Sequence, residues 1–113
     1  MEFINFKETE SIIKNKNVIY EYNLKNKDIN FCLCKINGRY PDKGFALNEK
    51  CEELAFIVKG KGQVCIEDKL YKLNKNSVVL INKGEKFFWK GKFIIARPCS
   101  PAWNIEQYKT IYN

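Results

Sequence analysis

Glu53-Leu54-Ala55-Phe56-Ile57-Val58-Lys59-Gly60 is an apolar run that opens on a carboxylate and closes on a glycine. A second run, Val78-Val79-Leu80-Ile81, leads into the turn Asn82-Lys83-Gly84. Both have strand length and turn residues at their borders, and both are rich in β-branched side chains. They are apolar at successive positions, whereas an antiparallel strand with one wet face alternates. Both faces of these strands therefore need cover. One face would line the interior of a sheet closed on itself. The other needs a second layer, either the N-terminal arm or a partner subunit, and the expectation is a homodimer built on that outer face.

Outward from these runs, short apolar segments and turn signals alternate along the whole chain, the pattern of an all-β sandwich or barrel. Val18, Tyr20, Tyr22 and Leu24 alternate with polar residues and fit a half-buried strand. Asn26 to Asp28 turns the chain into a strand from Ile29 to Ile36, ended by Asn37-Gly38. Arg39 to Gly44 reads as a loop, punctuated by Pro41 and Gly44. Gly60-Lys61-Gly62 and Lys90 to Lys92 read as turns, so Gln63 to Glu67, Lys86 to Trp89 and Phe93 to Arg97 become separate strands. Phe6 to Ile13 is open between a short helix and an extended arm. Asn104, with Gln107 three residues on, has the pattern of a capping box opening a short final helix. The chain divides into an arm over 1–17, a barrel over 18–98 and a tail over 99–113.

Composition narrows the function. At 113 residues the chain is one domain. No apolar stretch approaches the roughly 20 residues of a membrane span, and the N-terminus lacks a signal-peptide pattern. The expected location is the cytoplasm. The five cysteines are odd in number and lack C-x-x-C spacing, so they read as buried thiols rather than a zinc site. A net charge of +7 invites a nucleic-acid reading, but only Arg39 and Arg97 are arginines and the lysines are spread evenly. Base readout favours arginine, so no nucleic-acid partner is expected.

The stretch from Gly38 to Pro101 resembles the cupin superfamily. Glu53 and Gly60 match the glutamate and closing glycine of the family's first motif, with Leu54 to Lys59 between them. In the second motif Gly84 matches, Asn76 and Asn82 replace a glycine and the proline, Phe87 stands at the third histidine, and Gly91 replaces the asparagine. The resemblance implies an all-β, single-domain, double-stranded β-helix, a jelly-roll barrel. It also implies a metal held by histidines, and this chain has none. The histidine pair would fall within Ala46 to Glu49, which reads Ala-Leu-Asn-Glu. A transition ion at a cupin site takes imidazoles with one carboxylate, so neither a metal nor another cofactor is expected.

The side chains at the old ligand positions would still face the barrel mouth. Glu53, Phe87 and Trp89 would share it, joined by Arg39, Tyr40 and Asn48 from the opening and by Arg97 and Trp103 from the last strand and tail. Aromatic walls with a few polar anchors describe a small-molecule pocket, here for a sugar or a carboxylated metabolite. Two other readings stay open. One is a metal-independent isomerase or epimerase on sugar-like substrates, with Glu53 as general base and Tyr40 as general acid. The other is a degenerate structural or interaction protein whose barrel is filled by Phe87 and Trp89. Glu53 itself could be a buried acid satisfied by a tyrosine or by Arg97.

Overall fold

The computed structural model describes residues 1–112. It contains nine strands: β1 (Glu10–Lys14), β2 (Asn17–Tyr22), β3 (Asn30–Tyr40), β4 (Phe45–Asn48), β5 (Glu52–Ile66), β6 (Lys69–Leu73), β7 (Val78–Ile81), β8 (Lys86–Ser100) and β9 (Tyr108–Ile111). Two 3-10 turns, Phe6–Glu8 and Ile105–Gln107, are the helical elements among the described residues. Strand order runs β1-β2-β3-β8-β4-β9, while β5 pairs with β6, β7 and β8. Every pairing is antiparallel. The sheet curls around one core, the all-β architecture expected.

The turns expected at Gly60 to Gly62 and Lys90 to Lys92 are bends inside continuous strands. β5 and β8 pair along their length, from Glu52 opposite Ser100 to Ile66 opposite Phe87. β3 likewise runs through Asn37-Gly38 and pairs with β8 as far as Tyr40 opposite Trp89. Register explains the difference. Gly91 lies opposite Gly38 on one side and opposite Gly62 on the other, so three glycines form a crease across three strands. A Cβ on Gly91 would sit 2.6 Å from the Gly62 Cα, and a Cβ on Gly62 would sit 2.6 Å from the Phe93 ring. Gly91 also holds φ +138, outside what L side chains adopt readily. The sheet folds over here because nothing stands in the crease, and the Phe93 ring covers it.

Inward-facing positions of β8 share one parity. Phe87, Trp89, Phe93, Ile95, Arg97 and Cys99 are all buried. The first four pack with Cys34, Ile36, Ala55 and Ile57 into the core. The polar members, Arg97 and Cys99, sit toward the strand's end, which is where the site lies.

The segments before 18 and after 98 each add a strand. β1 pairs with β2, and β9 pairs with β4. The N-terminal arm therefore does not cover the outer face of β5 and β7, one of the two covers expected. Leu54 lies opposite Leu80 and Phe56 opposite Val78, and all four are exposed, as is Val58. Asn104 does cap its turn, accepting from the N–H of Glu106 and Gln107. Gln107 does not reciprocate; its side chain turns inward.

Candidate functional site

The register of β3, β5 and β8 brings the site together. Cys32 lies opposite Arg97, and Glu53 lies opposite Cys99. Glu53 is 1% exposed and Arg97 is 8% exposed. Arg97 Nε donates to Glu53 Oε2 at 2.7 Å, and Nη2 lies 2.6 Å from the same oxygen. Arg97 Nη1 donates to Cys34 Sγ at 3.2 Å. The other oxygen of Glu53 has longer contacts, 3.3 Å from Asn48 Nδ2 and 3.7 Å from Cys99 Sγ.

Asn48 links this pair to the tail. Its Oδ1 accepts from Trp103 Nε1 at 3.1 Å and from Gln107 Nε2 at 2.9 Å. Gln107 Oε1 in turn accepts from the N–H of Lys50 and Cys51. A buried polar chain thus runs from Gln107 through Asn48, Glu53 and Arg97 to Cys34. Such networks specify one arrangement when every member has a partner.

Above the ion pair lies a cavity of about 840 Å³. Glu53, Arg97, Cys32 and Cys99 line its floor, with Tyr40, Phe87, Trp103 and Tyr108 among its walls. Residues of β1 and β2, Ile12, Ile19 and Glu21 among them, face it from the other side. Glu2 ties the N-terminus to this rim, its carboxylate accepting from the N–H of Lys25 and Asn26.

The electrostatics follow from burial and the ion pair. Burial is the largest single influence and works against the Arg97 charge, but Glu53 together with Cys34, Cys32 and Cys99 outweighs it and holds the guanidinium firmly protonated. The hydrogen bond with Cys32 lowers the Cys34 thiol to about 7, Arg97 adding to the effect against the opposing pull of burial. Cys32 moves the other way, raised by its bond to Cys34 (Sγ to Sγ 3.8 Å) and by burial. Burial, then Glu53, raises Cys99. Burial also raises the phenols of Tyr40 and Tyr108, so both stay protonated near neutral pH.

Of the residues expected at the mouth, Tyr40, Glu53, Phe87, Arg97 and Trp103 line the one cavity. Asn48 is buried beside them and acts through Glu53 and Trp103. Two sit elsewhere. Arg39 faces outward, its guanidinium 3.8 Å above the Phe88 ring and bonded to the carbonyls of Pro41 and Gly44. Neighbouring positions on a strand point to opposite faces, so Tyr40 going in sends Arg39 out. Trp89 lies below the cavity in the core, edge-on to Phe87 and Phe93. Its Nε1 is buried without a partner. Phe87 and Trp89 are both buried in the core, and Phe87 also lines the cavity that remains above them.

The sequence reading missed Cys34, Tyr108 and Gln107. The alternation of Cys32 with Cys34 marks one strand face, but only the β3–β8 register puts Arg97 against it. Gln107 carried a signal, that of a cap, which pointed to the wrong role.

The fold matches known structures closely. The nucleoside dehydratase Pac13 of Streptomyces superposes with a TM-score of 0.90 at 10% identity, covering 100% of this chain and 94% of that one. The fold is cupin-like. KdgF from Halomonas sp. matches at TM-score 0.72 and 12% identity, over 94% of this chain and 97% of that one. Oxalate decarboxylase from Bacillus subtilis matches at TM-score 0.80 and 9% identity, over 95% of this chain and 31% of that one. No family model matches the sequence, and no curated protein does.

The resemblance to cupins implies a metal, and these residues do not fit one. The single carboxylate at the old ligand position already holds a guanidinium on one oxygen. A divalent cation there would face the Arg97 charge at close range, with no imidazole to offset it. Among the described residues, no three His, Cys, Asp or Glu side chains are grouped to hold an ion. No described helix is long and apolar enough to cross a membrane.

Proposed function

We propose that the protein is a cupin-fold module that binds a small polar metabolite without a metal. The observation that carries this reading is the buried Glu53–Arg97 pair exposed to the floor of an aromatic-walled cavity of about 840 Å³. Buried charges are retained at a cost, and a site for a ligand is one reason to retain them. The volume falls in the range of small-molecule pockets. Pac13, similar in fold, is described with uridine bound, which supports a ligand of about that size. A thermal-shift screen over sugars, organic acids and nucleosides tests the proposal. A ligand at about 100 times its Kd adds roughly 2.7 kcal/mol of stability, a readily visible shift. Silence across the screen, with a crystal structure showing the cavity closed, would remove the reading.

A second reading is an isomerase, epimerase or lyase on the same site. Its support is that Glu53 and Tyr40 line one cavity, and that a protein of this fold is a dehydratase. Glu53 would accept a proton and the Tyr40 phenol would donate one. Tyr40→Phe separates the readings: turnover falls in an enzyme, while a binding module loses at most one hydrogen bond.

Two further features complete the proposal. The exposed stripe Leu54, Phe56, Val58, Val78 and Leu80 is the face of a homodimer, since contiguous apolar patches mark interaction sites. Five unpaired thiols favour a reducing compartment, the cytoplasm.

A further inference from the structure

We infer that the cavity floor selects the neutral end of a ligand, an edge with a hydrogen-bond donor beside an acceptor, and rejects carboxylates and phosphates. The inference rests on the binding reading above and narrows it. Two observations carry it, one on hydrogen bonds and one on charge.

A guanidinium carries one N–H on Nε and a pair on each Nη. The contacts to Glu53 and Cys34 use one N–H from each nitrogen. One N–H remains on each Nη, on a side chain that is 8% exposed and lines the cavity. On its partner, Glu53 Oε1 has only the long contacts from Asn48 at 3.3 Å and Cys99 at 3.7 Å. The floor thus carries two guanidinium N–H groups outside these contacts and a weakly bonded carboxylate oxygen on the paired residue. Buried polar groups left in this state are costly, and a ligand carrying the complement relieves both. A sugar diol has that complement, and so does a lactam edge such as a pyrimidine's.

Charge decides against the alternative. Arginine is the usual receptor for a carboxylate, but this one is already neutralised by Glu53 at 2.6 Å. Adding an anion would leave a buried site with net negative charge, and the Cys34 thiolate would deepen it. Removing a second anion from water without a free cation costs far more than it returns. The cavity's cationic side chains, Lys14, Lys25, Lys27 and Lys50, are exposed at its rim and do not offset a charge at the floor.

The test is isothermal titration at about pH 6, below the Cys34 value of about 7 so that its thiol is protonated. Uridine, methyl riboside and uracil are the neutral probes; ribonate and orotate are the matched carboxylates. Neutral members should bind at least about tenfold tighter than their acids. Riboside without uracil identifies the diol as the recognised edge, and uracil without riboside identifies the lactam. Either supports the inference. Equal or tighter binding of the acids overturns it and leaves the pocket standing. Silence from these probes beside a carboxylate or phosphate hit in the wider screen also overturns it, a neutral hit there supports it, and silence throughout removes the pocket as well. Glu53→Gln adds a second measurement, because it leaves Arg97 unbalanced. Its preference should move toward the acids by about tenfold or more, and an unchanged preference overturns the charge argument. Should Glu53→Gln not fold, the wild-type ratio still decides.

Discussion

Replacing Arg97 by methionine keeps most of the buried stem and deletes the charge. Glu53, 1% exposed, then loses the Nε contact at 2.7 Å and the Nη2 contact at 2.6 Å. Its remaining contacts, at 3.3 Å and 3.7 Å, come from an amide and a thiol and cannot balance a carboxylate. Stranding one member of a buried pair costs about 3–5 kcal/mol. A domain this size has about 5–15 kcal/mol to lose, so the melting point should drop by roughly 12–20 °C at about 4 °C per kcal/mol. The companion variant Glu53→Gln/Arg97→Met removes both charges and should recover to within about 1 kcal/mol of wild type or exceed it. Equilibrium urea denaturation of wild type, both single variants and the double variant, in reducing buffer, gives the coupling energy, provided the m values agree. An Arg97→Met loss under about 1 kcal/mol, or a double variant no better than the worse single, would falsify the view that this pair is desolvated and exclusive.

Three other outcomes follow from the structure. Gly91→Ala should cost about 3 kcal/mol or more, its Cβ meeting the Gly62 Cα at 2.6 Å, while Gly84→Ala, in open space at φ +85, should cost about 1 kcal/mol; equal losses in thermal melts would show that the crease is not a close contact. Stability should climb as pH rises through about 7, where the Cys34 thiolate forms in the fold before it would form in the unfolded chain. Above about 9 it should fall, because Cys32, Cys51, Cys65 and Cys99 hold protons that the unfolded chain releases. Cys34→Ala should flatten the climb and leave the fall due to Cys51, Cys65 and Cys99, removing only the part of Cys32 that its bond to Cys34 raises, and melts across that range with a reductant present check both signs. Leu80→Lys, placed on the exposed stripe, should turn a dimer into a monomer by light scattering without loss of fold; a monomeric wild type would leave the stripe without that role.

Much of the architecture could be read from local patterns, and the parts that could not share a cause. The runs Leu54–Val58 and Val78–Ile81 announce strands because their side chains suit a pleated, buried surface. Asn26 to Asp28 and Asn82 to Gly84 announce turns because these residues tolerate tight backbone. Gly60-Lys61-Gly62 and Gly91 gave the same local signal and meant something else. A glycine permits a turn and a sharp bend alike, and only the alignment of Gly38, Gly91 and Gly62 across three strands tells them apart. Register is a long-range property. It also hid the Cys34–Arg97 contact, and it carried β3 on through Arg39 and Tyr40, where alternation along the strand turns Arg39 outward. Strand parity made Phe87, Arg97 and Glu53 legible as inward residues, but not that Trp89 would sit below the cavity floor rather than in its wall.

The Glu53–Arg97 pair also gives the missing histidines a physical sense. A carboxylate inside a barrel needs a positive partner, whatever the site does. In a metal-holding cupin the ion is that partner, and imidazoles share its field. Here the guanidinium takes the charge-balancing part, since it approaches one oxygen of Glu53 through two nitrogens. The exchange has a chemical consequence. A metal is a Lewis acid with open positions, whereas a guanidinium offers only fixed N–H donors and is not a base. A guanidinium in that place offers no Lewis-acid route, so any proton chemistry here falls to side chains such as Glu53 and Tyr40. What remains is directional hydrogen bonding in a cavity with aromatic walls. That chemistry suits the recognition proposed above, and it suits equally the alternative of proton transfer by Glu53 and Tyr40.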